Sequence, residues 1–169
     1  MELAAVNALG EREFVERFGG VFEHSPWVAR RAWRKRPFRS LDALHAAMMQ
    51  ALAEANKEEQ LALVRAHPEL AGAETKQGVL TVDSSSEQER LGFLRLSREQ
   101  LGAMERLNRR YRDRHGFPCI VALRLHAGRE SVIAEMDRRA GNDSTTELKN
   151  AFEQIGHITR GRLQKIIDG

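Results

Sequence analysis

Apolar residues recur every three or four positions along most of this chain. The spacing is clearest at Leu41, Leu44, Met48 and Leu52, and again at Leu91, Leu94, Leu101, Met104, Leu107 and Tyr111. Such spacing puts one apolar stripe on each helix, so the chain is predicted to be all-α. Glycine, proline and polar breaks predict about eight helices in a single compact domain spanning residues 1–169. The breaks are at 19–20, 37, 67–84, 115–116 and 141–142.

Serines stand at several predicted helix starts, where a side-chain oxygen can accept a hydrogen bond from an otherwise unpaired backbone amide. The candidate N-caps are Ser25, Ser40, Ser97 and Ser144. The spacing from Ser84 to Glu87 matches a capping box, in which the two side chains serve helix amides reciprocally. This interpretation gives Glu87 a structural role.

Two segments depart from the helical pattern. Residues 68–83 are predicted to form a long irregular loop, and a loop of that length in a compact domain is often functional. Residues 117–123 read FPCIVAL. They are apolar and contain Pro118, which predicts a buried extended or irregular piece between two helices.

The composition excludes several classes of protein. Hydrophobic residues make up 41% of the chain and charged residues 30%, and no apolar run reaches the length of a membrane span. The formal charge of +3 gives only weak steering of an anion. The first residues do not resemble a secretory signal and the last are not a peroxisomal address, so we expect a cytoplasmic protein without a membrane partner.

The absence of several motifs excludes some kinds of binding site and catalytic group. Cys119 is the only cysteine, so neither an intrachain disulfide nor a thiolate zinc cluster can form. No two of the six histidines are four residues apart, and a metal site is not expected. The sequence also lacks nucleotide-binding glycine motifs and a nucleophile elbow.

The segment from Arg30 to Arg39 carries six basic residues around Trp33 and Phe38. A helical nucleic-acid-binding module would use such a segment to hold phosphates while an aromatic ring stacks on a base. The alternative is a solvated helix face whose Trp27 and Trp33 point into the core. The near balance of charge elsewhere favours this alternative.

His67 lies where an amphipathic helix meets the loop, directly before Pro68. The helix dipole stabilises a cationic histidine at that end, which by itself explains the residue structurally. Its combination with neighbouring motifs points to chemistry instead.

Several blocks of sequence together resemble the 2-oxo-4-hydroxy-4-carboxy-5-ureidoimidazoline (OHCU) decarboxylase family. They are FVERFGGVFEHSPWVARRAW at 14–33, HPELAG at 67–72, LTVDSSSEQ at 80–88, LNRRYRDRHGFPCIVALR at 107–124 and EQIGHITRGRL at 153–163. Their order and spacing agree with the family, and the similarity covers nearly the whole chain.

The resemblance implies an all-helical, usually homodimeric enzyme that needs no cofactor. Such an enzyme converts its small ureide substrate to (S)-allantoin and carbon dioxide, the third step of urate degradation. It implies no nucleic-acid partner. A helical scaffold that binds a ureide without turning it over remains an alternative.

The resemblance also implies the site residues. His67 is the expected proton donor, Glu87 works beside it, and Arg162 supplies an arginine, although Arg160 is close enough to compete for that role. The expected substrate-binding residues are Pro68, Ser84, Ser85, Ser86, Glu87, Gln88, Cys119, Ile120, Val121, Ala122 and Leu123. The backbone is expected to make the contacts at Ser84–Ser86 and Cys119–Leu123.

Two positions depart from the family pattern. Glu69 stands where the family more often has aspartate, and Cys119 stands where it more often has a bulkier side chain. Both lie beside the expected chemistry, and Cys119 is expected to pack as a small hydrophobe without a catalytic role.

Overall fold

All regular structure in the computed structural model, which describes residues 1–169, is helical. The ten α-helices are α1 (Leu3–Ala8), α2 (Glu11–Phe18), α3 (Trp27–Trp33), α4 (Leu41–Ala53), α5 (Lys57–Arg65), α6 (Ala73–Gln77), α7 (Val82–Arg90), α8 (Arg98–His115), α9 (Arg129–Ala140) and α10 (Ser144–Asp168). A short 3-10 helix, η1, spans Leu123–Leu125. The all-α prediction is confirmed. Eight of the α-helices have seven or more residues, which matches the expected number.

Contacts group the chain into two compact units. The first unit contains residues 1–66 and 156–169, and the second contains residues 67–155. Helix α10 begins in the second unit and ends in the first. The single domain expected over residues 1–169 stays a prediction.

The core of the first unit forms where α3 packs against α2 and α4. Phe14 and Phe18 of α2 lie one turn apart and are fully buried. Leu44, Met48 and Leu52 continue the apolar stripe along α4 at intervals of four residues. The helical periodicity of the sequence therefore specifies which faces meet.

The core of the second unit is formed largely by α8 and α9, which pack against each other. The buried face of α8 carries Met104, Asn108, Tyr111 and His115. Three of these four carry a polar group, and a buried polar group requires hydrogen-bond partners. The second unit is therefore held by specific polar contacts as well as by apolar packing.

Two of the predicted serine N-caps are confirmed. Ser40 accepts a hydrogen bond from the Ala43 amide at 3.0 Å. Ser97 accepts one from the Gln100 amide, and the Gln100 side-chain oxygen accepts one from the Ser97 amide, which completes a capping box. These side chains define the starts of α4 and α8.

The other two serines do not cap their helices. Pro26 occupies the N-cap position of α3, while the Ser25 hydroxyl donates to the Glu23 carbonyl at 2.8 Å. Ser144 lies in the first turn of α10, and the preceding Asp143 accepts from the Thr146 amide at 2.9 Å. Helix α3 thus has no side-chain cap, while Asp143 supplies the cap of α10.

The basic segment 30–39 is largely occupied by contacts within the first unit. The Arg31 guanidinium forms two hydrogen bonds with Glu59, at 3.0 and 2.6 Å. Arg36 donates to the carbonyls of Asn7 and Leu9. Salt bridges also join Lys35 to Glu54 and Arg30 to Glu11. The nucleic-acid alternative therefore finds no support.

The two tryptophans reach only the edge of the core, although the sequence predicts that they point into it. Trp27 and Trp33 are half-buried. Arg31 lies over the Trp27 ring at 4.5 Å and Arg36 over the Trp33 ring at 3.9 Å. The rings are covered by cations because each side chain reaches only the edge of the core.

None of the helices combines the length and apolar character that crossing a bilayer requires.

Replacing the N-cap of α8 should destabilise the protein measurably. We expect Ser97→Ala to lower the free energy of unfolding by about 1 kcal/mol, because the Gln100 amide loses its acceptor. Urea denaturation provides the measurement. Ser97→Asp is the matched control, since a carboxylate caps equally well, and equal losses in the two variants would contradict the assignment.

Candidate active site

His67 lies at the junction that its sequence position predicts. Helix α5 ends at Arg65, Ala66 is the C-cap, and His67 follows with 6% of its surface exposed. The expected irregular loop 68–83 is only partly correct, because α6 occupies its centre and α7 begins at Val82. The polar composition of this stretch concealed two helix starts.

The turn 67–72 is sharply bent. Ala71 adopts a positive φ of 50°, a conformation that alanine rarely takes. A β-carbon on Gly72 would lie 2.7 Å from the β-carbon of Glu69, so only glycine fits there. The HPELAG sequence therefore encodes a tight turn that begins at His67.

Three side chains from the same unit hold this turn. The Gln88 carbonyl oxygen accepts from the Ala71 amide at 3.0 Å. The Asn108 amide donates to the Leu70 carbonyl at 2.9 Å, and Arg112 forms an ion pair with Glu69. The glutamate that departs from the family pattern thus takes part in holding the turn.

Helix α7 presents Ser84, Glu87 and Gln88 on one face, since they stand at positions i, i+3 and i+4. Ser84 and Gln88 are buried, and Glu87 is half-buried. The capping-box interpretation of Ser84 and Glu87 is wrong, because Thr81 is the N-cap and accepts from the Ser84 amide at 3.3 Å. Glu87 therefore lies inside the helix.

The predicted serine contacts differ in their surroundings. The Ser84 and Ser85 amides are both bound by Thr81, the first by its hydroxyl and the second by its carbonyl at 2.9 Å. The Ser86 side chain is exposed and the Ser85 side chain half-buried. Backbone binding of a ligand by these three serines stays a prediction.

The side-chain amide of Gln88 is oriented by its neighbours. Its oxygen accepts from the Ala71 amide and from the Thr75 hydroxyl at 3.2 Å. Its nitrogen Nε2 is buried and has no hydrogen-bond partner in the protein. A buried donor without a partner is costly, so this nitrogen is a candidate contact for a ligand carbonyl.

Residues 117–122 form the buried, non-helical piece that the sequence predicts over 117–123, and Leu123 already begins η1. Gly116 ends α8 with a positive φ of 75°, and the chain becomes helical again only at η1. The Ile120 carbonyl accepts from Arg139 at 2.7 Å, and the Ala122 amide donates to Gln154 at 2.9 Å. Between them, the amide and carbonyl of Val121 make no hydrogen bond with the protein.

Cys119 packs as an apolar group within this segment. The side chain is 3% exposed, and burial raises the pKa of its thiol to about 12. The thiol is therefore neutral near pH 7. This supports the expectation that Cys119 has no catalytic role.

The two candidate arginines of α10, which lie in the first unit, have different surroundings. Arg162 is 3% exposed and donates to the Glu23 carboxylate at 3.0 Å and to the Val21 carbonyl at 3.3 Å. Arg160 lies nearer the surface and binds Asp42 at 2.9 Å. The buried carboxylate of Glu23 was not anticipated from the sequence.

The sequence pattern contains a signal for the structural role of Asn108 that the sequence analysis did not use. Asn108 stands four residues after Met104 and three before Tyr111, which is a position on the apolar stripe of α8. A polar residue at such a position must meet a partner inside the protein.

No group of three or more His, Cys, Asp or Glu side chains is placed to hold a metal ion.

Comparison with known proteins shows similarity over nearly the whole chain. The sequence model described as OHCU decarboxylase matches residues 7–164. A Haloferax volcanii protein named 2-oxo-4-hydroxy-4-carboxy-5-ureidoimidazoline decarboxylase is 40% identical, over 96% of this chain and 94% of the relative. An Amia calva protein of the same name is 36% identical, over 99% of this chain and 95% of the relative.

A solved structure also resembles this chain. The crystal structure of (S)-allantoin synthase superimposes with a TM-score of 0.75 at 28% identity. The match covers 99% of this chain and 55% of that one. This chain therefore corresponds to about half of the solved protein.

The buried thiol gives a direct test of the site's packing. We expect Cys119 in the native protein at pH 8 to react with iodoacetamide at least about 100-fold more slowly than in urea, because little thiolate is present. Mass spectrometry against time provides the measurement. Labelling at equal rates in both conditions would show that the segment 117–123 is open to solvent.

Proposed function

The chain belongs to the OHCU decarboxylase family, and from this premise we propose that His67 and Glu87 perform the family's chemistry here. The protein is a carboxy-lyase of urate degradation that converts OHCU to (S)-allantoin and carbon dioxide. One observation carries the proposed residue roles. Gln88, next to Glu87 on α7, binds the Ala71 amide in the turn that begins at His67.

This hydrogen bond joins neighbours of the two proposed catalytic residues within one unit. Glu87 is adjacent to Gln88 in sequence, and His67 is four residues before Ala71. A shift of the turn relative to α7 would break a bond to a buried amide, at about 1–3 kcal/mol. The bond therefore supports the proposal that the backbone at His67 stays near the backbone at Glu87.

The chemistry needs a positioned acid more than an activated nucleophile. The carbon–carbon bond to the carboxylate breaks, carbon dioxide leaves, and the electron pair is delocalised onto the adjacent carbonyl of the ring. His67 then delivers a proton to that carbon, which completes the new carbon–hydrogen bond. Delivery from one face sets the configuration of the product.

The other residues bind and orient. We assign Glu87 the role of orienting the His67 ring and favouring its charged form. Gln88 Nε2 is assigned to a carbonyl oxygen of the ureide. The amide and carbonyl of Val121 lie in a buried segment and have unused hydrogen-bonding capacity. They are assigned to ring polar groups, and the amide can stabilise the developing oxyanion.

Arg162 is proposed as the arginine that binds a carboxylate or urea oxygen of the substrate. Its guanidinium is buried and oriented by Glu23 and the Val21 carbonyl, and a preoriented guanidinium binds an oxyanion with less loss of entropy. Arg160, which is bound to Asp42 near the surface, is the weaker candidate.

We further propose a cytoplasmic homodimer, as the family resemblance implies. A groove of about 620 Å³ between α8 and α9 suits contact with a second copy. Its wall includes Leu107 and the exposed Ile133, while Arg106 and Glu130 place opposite charges at the same groove. Two copies related by a twofold axis can match such charges reciprocally.

Removing the imidazole should abolish catalysis without unfolding the protein. We expect His67→Ala to lower kcat by about 100-fold to 10,000-fold, the range for loss of a general acid. Substrate is generated freshly with urate oxidase and the hydrolase, and circular dichroism follows the optically active product. His126→Gln serves as the matched histidine control and should retain normal rates.

Three outcomes would contradict the proposed residue roles or the function. Rates in His67→Ala close to those of the unsubstituted protein would remove His67 from the mechanism. Binding of the ureide without release of carbon dioxide would favour the scaffold alternative. Retention of full activity in Glu87→Gln would remove the carboxylate from its proposed role.

The dimer has a separate test. Sedimentation equilibrium should give twice the mass of one chain, and Ile133→Glu should give the mass of a single chain because a carboxylate would be buried in the contact. Ala127→Glu, an exposed change outside the groove, is the control. A single-chain mass for the unsubstituted protein would overturn the proposed dimer, and an intact Ile133→Glu dimer would exclude this groove as its interface.

A further inference from the structure

A buried arginine of α9 holds the segment 117–123 that the proposed reaction uses. We infer that Arg139 is a positioning residue, whose guanidinium fixes the backbone around Val121 by joining the Ile120 carbonyl to Glu147. The inference rests on the proposed function, because it concerns the accuracy with which that backbone meets the ureide. Arg139 itself is assigned no contact with substrate.

The Arg139 guanidinium uses two of its edges for this connection. Nε donates to Glu147 Oε1 at 2.8 Å, and Nη1 donates to the Ile120 carbonyl at 2.7 Å. The residue is 2% exposed, so water does not screen or compete for these bonds. The planar guanidinium therefore sets both the distance and the orientation of the Ile120 carbonyl relative to Glu147.

Glu147 is itself held from several elements. Its two oxygens accept hydrogen bonds from the Tyr111 hydroxyl at 2.6 Å, Asn142 at 3.0 Å and Asn150 at 2.6 Å. Burial opposes ionisation of Glu147, but these bonds and Arg139 outweigh it and hold the pKa below its usual range. A charged, fully buried carboxylate thus connects α8 and α10 to Arg139.

A second side chain holds the segment two residues further on. Gln154, one turn after Asn150 on α10, accepts from the Ala122 amide at 2.9 Å. Arg139 and Gln154 together restrain residues 120 and 122, and the peptide groups of Val121 lie between them. Because no helix or sheet ladder includes this residue, these side chains are its main hydrogen-bonded restraint.

Stability alone does not account for this arrangement. Replacing a buried ion pair by neutral groups of similar size is often neutral or stabilising. Arg139 also leaves Nη2 buried without a partner, which reduces the stability gained from the pair. Accurate placement of the Ile120 carbonyl is the benefit that the contacts indicate.

The test removes both buried charges at once. The double variant Arg139→Met with Glu147→Gln removes the two fully buried charges, and Glu135, which lies 3.6 Å from Arg139, keeps its ion pair with His126 at 2.9 Å. We expect this variant to fold with a lower melting temperature, because the introduced amide nitrogen cannot accept the hydrogen bonds that Asn142 and Asn150 donate to Oε2. We expect kcat/KM to fall by about 100-fold, the effect of an active-site displacement near 1 Å. The pH profile should keep its midpoints, since His67 and Glu87 are unchanged.

A matched double variant tests whether loss of any arginine–glutamate pair has this effect. Arg31→Met with Glu59→Gln removes a two-point pair that does not contact residues 117–123. It should keep normal kcat/KM. A stable Arg139→Met, Glu147→Gln protein with normal kcat/KM would overturn the positioning role and leave the pair purely structural.

Two further measurements cover the remaining outcomes. If the double variant does not fold, Arg139→Lys retains a cation beside Glu147 but cannot make both bonds, and we expect a loss in kcat/KM of about tenfold. Normal activity in that variant would also overturn the inference. If the unsubstituted protein turns over no substrate, the proposed function fails. The affinity for (S)-allantoin then tests the positioning role. Weaker binding by the Arg139 variants would support this role, and unchanged binding would overturn it.

Discussion

A single buried amide, the side chain of Gln88, connects the parts of this structure on which the proposed chemistry depends. Its oxygen binds the turn that begins at His67, and its position on α7 places it beside Glu87. The hydrogen bond is 3.0 Å long and joins residues that are 17 positions apart in the sequence. Without it, the tight turn at Ala71 would lose its link to the helix that carries the carboxylate.

The same principle recurs elsewhere in the second unit, where polar side chains on buried helix faces hold backbone that has no regular structure. Asn108 binds the Leu70 carbonyl, and Arg139 binds the Ile120 carbonyl. A buried carbonyl needs a partner, and at Leu70 and Ile120 that partner is a side chain. The polar positions within the apolar stripes of α8 and α9 therefore serve the site as much as the fold.

Some sequence interpretations failed for reasons that are local and physical. Serine near a helix start has several uses, and spacing does not distinguish them. Ser84 and Glu87 match a capping box, yet Thr81 occupies the N-cap position three residues earlier. Trp33 looks apolar in sequence, but its indole nitrogen donates to the Leu9 carbonyl and Arg36 covers its ring. An aromatic side chain with a polar edge is stable at the rim of a core.

The sequence by itself determined the helical class, the apolar stripes and the position of His67 after a helix, because these depend on residues close together in the chain. It also determined the family, because the order and spacing of short blocks along the chain are read without knowing how they pack. Only the tertiary structure decided which polar atoms meet. Arg162 binds Glu23 across 139 positions, and Gln88 turns its oxygen to Ala71 and leaves its nitrogen buried without a partner. Hydrogen bonds are directional and short, so such pairings follow from packing and cannot be inferred from spacing alone.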